Sequence, residues 1–340
     1  MSLNKTKDKT FGTLWCFKVV SPLLILYLLF IYYIIKFPER IFESSILTIQ
    51  YAQEILANSQ FDKVSILAIG DSTIGAALNL DILNKDAYSL VAPGGNSRES
   101  FYILKKFLMN NQKPKCVLMN VSANNDSFYY EKFWKSFIVH LYSLNDLITI
   151  WKDSEEHQFH PYAHQNLTSF WTENYLSKLY LINFPWFQFI QSFRGMSSFI
   201  FSHQLYLEFI RKSRGQKIYK KTDFEIAPEL EYLVKDFKPF PLDDFYFIKI
   251  LDLLNEHQLE LIYIDIPFAK VGNSKIEDFL AKNLKRKKEL AMNNPYVHFF
   301  ETQREWDQTY FSNINHLNEA GAIEYSKELK SQLPKKCLNF

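Results

Sequence analysis

Short apolar runs alternate with helical patterns along most of this chain, and that alternation restricts its fold more than any other feature. The runs cover residues 64–69, 87–92, 116–121, 259–266 and 296–300. Runs of this length, bounded by glycine or proline, are typical of strands that are buried on both faces. Helical patterns separate or follow them, at residues 99–109, 244–254, 276–291 and 317–333. We therefore predict an α/β domain with a doubly wound, mostly parallel sheet.

A long aromatic-rich insertion, residues 127–241, separates the third predicted strand from the fourth. A segment of this length is too long to be a bare loop inside a domain, so it is expected to contain helices. We predict an N-terminal segment, residues 1–40, followed by one domain over residues 41–340 that includes the insertion.

The N-terminal segment contains an uncharged apolar stretch, residues 19–35. Extended back through residues 11–17 it is long enough to cross a bilayer, and Lys18 lies near one end, where a lysine can reach the headgroups. No small-residue cleavage site follows, so we predict an uncleaved single-pass anchor; the alternative is a buried helix. More lysines precede the stretch than follow it, which favours a cytoplasmic N-terminus and a periplasmic or extracellular domain.

Charge and metal-ligand patterns exclude several classes of protein. The formal net charge of +2 is too small for a typical nucleic-acid-binding domain. The three cysteines form neither a disulfide framework nor a metal-binding spacing. His157, His160 and His164 suggest zinc ligands, but Pro161 interrupts the helix that would align them, so no metal or cofactor is expected.

Polar or glycine residues follow three of the predicted strands and precede the last helix. Ligands collect at the carboxyl ends of strands in such sheets. Ser72 follows the first strand at a helix start, where it is either a nucleophile or a helix cap. Gly94 follows the second strand, as an oxyanion-binding N–H or an ordinary turn residue. Asn124 and Asn125 follow the third strand as amide donors or loop residues, and His316 precedes the final helix.

Gly-Asp-Ser at 70–72, a later glycine, Asn-Asp at 125–126 and a late histidine stand in the order of the four blocks of SGNH (GDSL-type) hydrolases. The chain resembles this superfamily over residues 64–126 and 259–333, which implies a flavodoxin-like doubly wound sheet. The resemblance implies that Ser72 is the nucleophile and His316 its general base. It also implies an oxyanion hole formed by the N–H groups of Ser72 and Gly94 and by the Asn125 amide, with Asn124 as the alternative donor.

The sequence departs from the family pattern at Asn313, where the family has an aspartate three residues before the histidine. In serine proteases the corresponding change lowers turnover by about 10⁴-fold, because the imidazole adopts the wrong tautomer. Three interpretations stay open. The site works as a Ser–His pair oriented by a backbone carbonyl, Asp307 replaces the missing acid, or the site is inactive.

The insertion carries aromatic residues between 186 and 210, followed by a basic run from Arg211 to Lys221. This pattern suits contact with anionic lipid or a membrane partner, or else a lid helix with a solvated tail. The nearest resemblance is to anchored envelope proteins of alginate O-acetylation and teichoic-acid D-alanylation. It implies an acyl esterase or O-acyltransferase on a cell-surface glycan, beside a membrane-bound O-acyltransferase. The alternatives are an inactive accessory or glycan-binding subunit and a lipid esterase.

Overall fold

The computed structural model describes residues 5–36, 44–57, 63–121, 141–157, 168–170, 172, 197–220, 241–270 and 274–338. Its internal contacts divide the chain into two units. One unit consists of Met1–Glu43 and Phe184–Gln204, and the other of Ser44–Asn183 and Leu205–Phe340.

The first unit contains helix α1, Lys5–Lys36, which includes Pro22. The apolar stretch of residues 19–35 lies within this helix, and its large side chains, such as Leu23 and Leu26, are mostly solvent-exposed. Within the ranges given above, no helix is both long enough and apolar enough to cross a membrane.

The second unit is built on a five-stranded parallel sheet. Its strands are β1 (Ile66–Gly70), β2 (Ala87–Ser89), β3 (Cys116–Asn120), β4 (Glu260–Ile264) and β6 (Val297–Phe300), in the order β2–β1–β3–β4–β6. Two short pairs lie beside it: β5 (Phe268–Ala269) with β7 (Glu305–Trp306), and β8 (Phe311–Asn313) with β9 (His316–Leu317). All five predicted strands are confirmed, and so is the α/β class with a mostly parallel sheet.

The described residues form ten further helices, most of which connect or cover these strands. They are α2 (Ser44–Ala57), α3 (Ser72–Ala77), α4 (Leu80–Leu83), α5 (Ser97–Asn110), α6 (Leu144–Glu156), α7 (Ser197–Lys212), α8 (Pro241–His257), α9 (Ser274–Ala291), α10 (Glu319–Gln332) and α11 (Lys335–Leu338). A 3₁₀ turn, Gln308–Tyr310, precedes β8. Helices α6 and α7 lie within the predicted insertion, which therefore contains helices as expected.

Alternate residues of each strand enter different cores on the two faces of the sheet. In β1, Leu67 and Ile69 pack with apolar residues of α2, α5 and α8. Ile66 and Ala68 pack on the other face with residues of α3, α4 and α10. Successive strand side chains point to opposite faces, so both faces need apolar residues and the strands read as continuous apolar runs. This arrangement is compatible with a doubly wound fold.

A disulfide joins Cys116, the first residue of β3, to Cys337 in α11, with a Cα–Cα distance of 5.5 Å. The expectation that the cysteines form no disulfide was therefore wrong. The two residues are 221 positions apart, so no local spacing pattern in the sequence indicates the pair. Only the tertiary fold brings them together.

Candidate active site

The site begins where β1 turns into α3. Gly70 has φ +136°, and a Cβ at this position would lie 1.8 Å from the Asn120 carbonyl oxygen, so only glycine fits there. Asp71 follows as the N-cap of α3 and accepts hydrogen bonds from the Thr73 N–H and hydroxyl. The Asp71 side chain thus caps the helix, while the next residue, Ser72, remains partly exposed at the helix start.

Ser72 and His316 lie within hydrogen-bonding distance despite their separation of 244 residues. Ser72 Oγ is 2.8 Å from His316 Nε2. This distance is within the range required of a nucleophile and its general base. The carboxyl end of β1 supplies the serine, and the short strand β9 supplies the histidine.

Asn313 occupies the other side of the imidazole. Its Oδ1 is 2.9 Å from His316 Nδ1, and the same oxygen accepts the backbone N–H groups of His316 at 2.9 Å and Asn315 at 3.2 Å. Only an oxygen can accept hydrogen bonds from two backbone N–H groups, so the orientation of the Asn313 amide is determined. Because this oxygen faces His316 Nδ1, Nδ1 must carry the proton. The lone pair of Nε2 therefore faces Ser72, which is the tautomer that a general base needs.

The surroundings of His316 favour its neutral form. Burial, together with the smaller effect of the nearby positive charge of Lys217, lowers the pKa of His316 to about 4. The imidazole is therefore unprotonated, and able to accept a proton, throughout the neutral pH range.

Gly94 lies in a tight turn that follows β2. Gly95 N donates to Ala92 O at 2.7 Å and Gly94 has φ +74°, which is the geometry of a type II turn with Pro93 before the glycine. Ala92 N also bonds Gly70 O, so the turn starts next to the end of β1. In the described part of the chain, neither Gly94 N–H nor Ser72 N–H donates an internal hydrogen bond. Gly94 is thus both a turn residue and an available donor.

The predicted amide donors Asn124 and Asn125 lie outside the described residues. The described asparagine at this end of β3 is Asn120, which sequence reasoning missed. Its Nδ2 donates to Ile264 O at 2.8 Å, and its Oδ1 accepts from the Thr73 hydroxyl at 3.0 Å. Asn120 therefore connects β3 to β4 and to the helix that begins at Ser72.

Asp307, the predicted alternative acid, caps the 3₁₀ turn. Its Oδ1 accepts hydrogen bonds from Thr309 N at 2.9 Å and Thr309 Oγ1 at 2.7 Å. Because Asn313 Oδ1 is the group at His316 Nδ1, the orienting group is neither Asp307 nor a backbone carbonyl.

The insertion returns to the site through residues 213–220, which the sequence did not predict. The Tyr219 ring packs 4.9 Å from the His316 ring, and Lys217 Nζ lies 4.9 Å from the Tyr219 ring centre. The sequence signal for this segment is Gly215, a turn residue directly after the predicted basic helix end; Arg214 and Gly215 both have positive φ in the structure.

The basic run is not one continuous surface. Arg211 pairs with Glu54 at 2.8 Å and Arg214 with Asp81 at 2.7 Å, so these two charges are used in separate ion pairs. The aromatic residues 186–196 lie outside the described residues, as do His160 and His164. His157 caps the end of α6, and its ring packs 4.6 Å from Phe245.

No protein-family model and no curated protein matches this chain.

Proposed function

We propose that this protein is a serine-dependent acyl esterase or O-acyltransferase of the SGNH type that acts on a cell-envelope glycan. The observation that carries the proposal is the hydrogen-bonded series Ser72–His316–Asn313, with 2.8 Å and 2.9 Å between successive partners. Nucleophile, base and orienting group stand in the order that acyl transfer requires.

In the proposed reaction, Ser72 Oγ attacks the ester carbonyl carbon and its proton moves to His316 Nε2. The Ser72 and Gly94 N–H groups stabilise the oxyanion, and Asn125 is the amide donor that the family resemblance adds. Collapse expels the alcohol, which takes the proton from His316 and leaves an acyl-serine. Water or a sugar hydroxyl then attacks the acyl carbon and loses its proton to His316, which passes that proton to the departing Ser72 oxygen.

The fold supports the SGNH assignment. The proposed catalytic groups follow the carboxyl ends of β1 and β2, and the histidine comes from the segment before the last long helix, in the family's order. No cofactor is needed for this chemistry.

The Cys116–Cys337 disulfide supports placement of the domain outside the cytoplasm, because disulfides persist mainly in oxidising compartments. An N-terminal anchor formed by residues 19–35 would keep the site beside the bilayer. The anchor would also keep the site beside a membrane-bound O-acyltransferase that supplies acyl groups. Membrane fractionation of the full chain, beside a variant without residues 1–36, tests this part.

The second candidate is a non-catalytic SGNH-like subunit that binds glycan or supports a membrane acyltransferase. Asn313 favours it, because a neutral amide stabilises the imidazolium less than a carboxylate does. The two candidates differ in whether Ser72 can be acylated.

Intact-mass analysis of the full-length protein after treatment with a fluorophosphonate, and separately with p-nitrophenyl acetate, tests the proposal. We expect one adduct, which is lost in Ser72→Ala and kept in Ser331→Ala, a matched change on the exposed face of α10. Absence of an adduct in wild type, with an adduct appearing in Asn313→Asp, would instead support the non-catalytic subunit.

A further inference from the structure

The segment that carries Lys217 is attached to both halves of the candidate site. Lys217 N donates to Gly75 O at 3.1 Å, in the helix that begins at Ser72. Two residues on, Tyr219 O accepts the N–H of Glu319 at 3.1 Å, at the start of the helix that follows His316. The segment is therefore positioned by the same elements that position the nucleophile and the base.

Lys217 differs from Arg211 and Arg214, the two arginines of its run, which form ion pairs. Within the described ranges, its ammonium has neither a carboxylate partner nor a hydrogen-bond acceptor, and it contacts the π face of Tyr219. Burial lowers the pKa of Lys217 to about 8, so the side chain is still mostly protonated at pH 7. A partly buried cation thus lies one aromatic ring away from the imidazole.

This cation opposes the charge that catalysis has to create. His316 becomes an imidazolium when it takes the Ser72 proton, and Asn313 brings no negative charge to balance it. In the described part of the chain, the other groups in contact with the imidazole are the Ser72 hydroxyl and the Tyr219 ring. Asp71, the N-cap of α3, accepts hydrogen bonds from the Thr73 N–H and hydroxyl, and its charge acts on the Tyr219 ring. A neutral substrate would therefore bring no negative charge to these two positively charged groups.

We propose that Lys217 binds an anionic group of the substrate, a carboxylate or a phosphate, next to the Ser72–His316 pair. This inference rests on the proposed function and names the substrate class of the same site. The bound anion neutralises Lys217 and stabilises the imidazolium, so the substrate supplies the negative charge that position 313 lacks. Lys217 is then the residue that selects esters carrying a nearby negative charge.

Ester pairs that differ only in charge test the selectivity. The carboxylate arm compares mono-p-nitrophenyl succinate with its neutral methyl ester, and the phosphate arm compares p-nitrophenyl phosphonoacetate with its neutral dimethyl ester. We expect kcat/KM to favour the anionic ester by about tenfold or more in at least one arm.

The ratio of kcat/KM between the anionic and the neutral ester should fall towards unity in Lys217→Met and persist in Lys217→Arg. It should also persist in Lys220→Met, which removes an exposed lysine three residues away. A ratio that Lys217→Met leaves unchanged would overturn the inference.

A titration of His316 by NMR separates this inference from the proposed function, because it needs no turnover. His316→Gln identifies the resonance in the full-length protein. We expect the His316 pKa to rise in Lys217→Met, and to rise in wild type, but not in that variant, when acetate or inorganic phosphate is added. If these pKa shifts occur but Ser72 forms no adduct, the anion site is supported and the proposed esterase activity is refuted. If Ser72 forms an adduct but the His316 pKa does not depend on Lys217, the esterase activity is supported and the anion site is refuted.

Discussion

Asn313 Oδ1 lies 2.9 Å from His316 Nδ1 while it accepts the backbone N–H of the same histidine, also at 2.9 Å. One amide oxygen therefore caps the turn and orients the imidazole. The harm expected of an asparagine at this position comes from the wrong tautomer, and here the backbone donors enforce the correct one. What the asparagine fails to provide is negative charge.

Asn313→Asp should therefore increase reactivity by restoring that charge. The carboxylate favours the protonated imidazole and so raises the His316 pKa above its wild-type value of about 4. The acid limb of the pH profile should move to higher pH. The rate of Ser72 labelling by a fluorophosphonate at pH 8 should rise roughly 10- to 100-fold, less than 10⁴-fold because the tautomer is already correct.

Asn315→Asp is the matched control, since it adds the same charge two residues away. Labelling rates measured between pH 4 and pH 9 should leave this control close to wild type. A slower Asn313→Asp variant, or an acid limb moved to lower pH, would contradict the assigned hydrogen bonds.

A buried ion pair holds the start of α5 and with it the turn that contains Gly94. The Lys287 ammonium is completely buried against the Asp243 carboxylate, which also accepts the Ser97 N–H at 2.6 Å. Lys287→Met removes one partner and leaves a buried carboxylate, so we expect a loss of about 3–5 kcal/mol in the free energy of unfolding. Urea unfolding measures this free energy for the variant and for wild type. Lys285→Met, in an exposed pair with Glu289 at 3.9 Å, should change it by less than about 1 kcal/mol.

The sequence was informative for the candidate site residues Ser72 and Gly94, each of which follows a strand. Ser72 and Gly94 could be placed because the strands before them are apolar runs that end in glycine or proline, and parallel strands bring their carboxyl ends together. His316 could be placed by its position before the last helix. These positions depend on local pattern and a general rule of sheet topology.

Residues that reach the site through tertiary contacts could not be placed in this way. Lys217 belongs to a run of basic residues whose members look alike in the sequence, yet Arg211 and Arg214 pair elsewhere and Lys217 alone of these three contacts Tyr219. Asn313 was correctly identified as the departure from the family pattern. Its role in setting the tautomer depends on two backbone N–H groups whose directions only the folded turn determines.

The Cys116–Cys337 disulfide should contribute strongly to stability, because it closes a loop that includes most of the sheet. Replacing both cysteines by alanine should lower the free energy of unfolding by about 2–5 kcal/mol, chiefly through the larger entropy of the unfolded chain. Cys16→Ala, which changes the third cysteine, should leave it unchanged. Denaturant unfolding with and without a reducing agent checks both statements. A double variant as stable as wild type would mean that the bond does not form.

Gly215 allows the chain to return from α7 to the site, so its replacement should disturb Lys217. Gly215 has φ +89°, and an added Cβ would lie 1.9 Å from the Ser89 carbonyl oxygen. Gly215→Ala should lower the free energy of unfolding by about 2 kcal/mol or more, because the left-handed conformation is strained and the backbone must also shift.

The backbone shift in Gly215→Ala should loosen the Lys217 N–Gly75 O hydrogen bond and expose the imidazole. The His316 pKa, followed by NMR, should then rise from about 4 towards 6.5. Lys212→Ala, at the exposed end of the same helix, is the control and should change neither quantity. An unchanged His316 pKa in a destabilised Gly215→Ala variant would show that the segment does not cover the site.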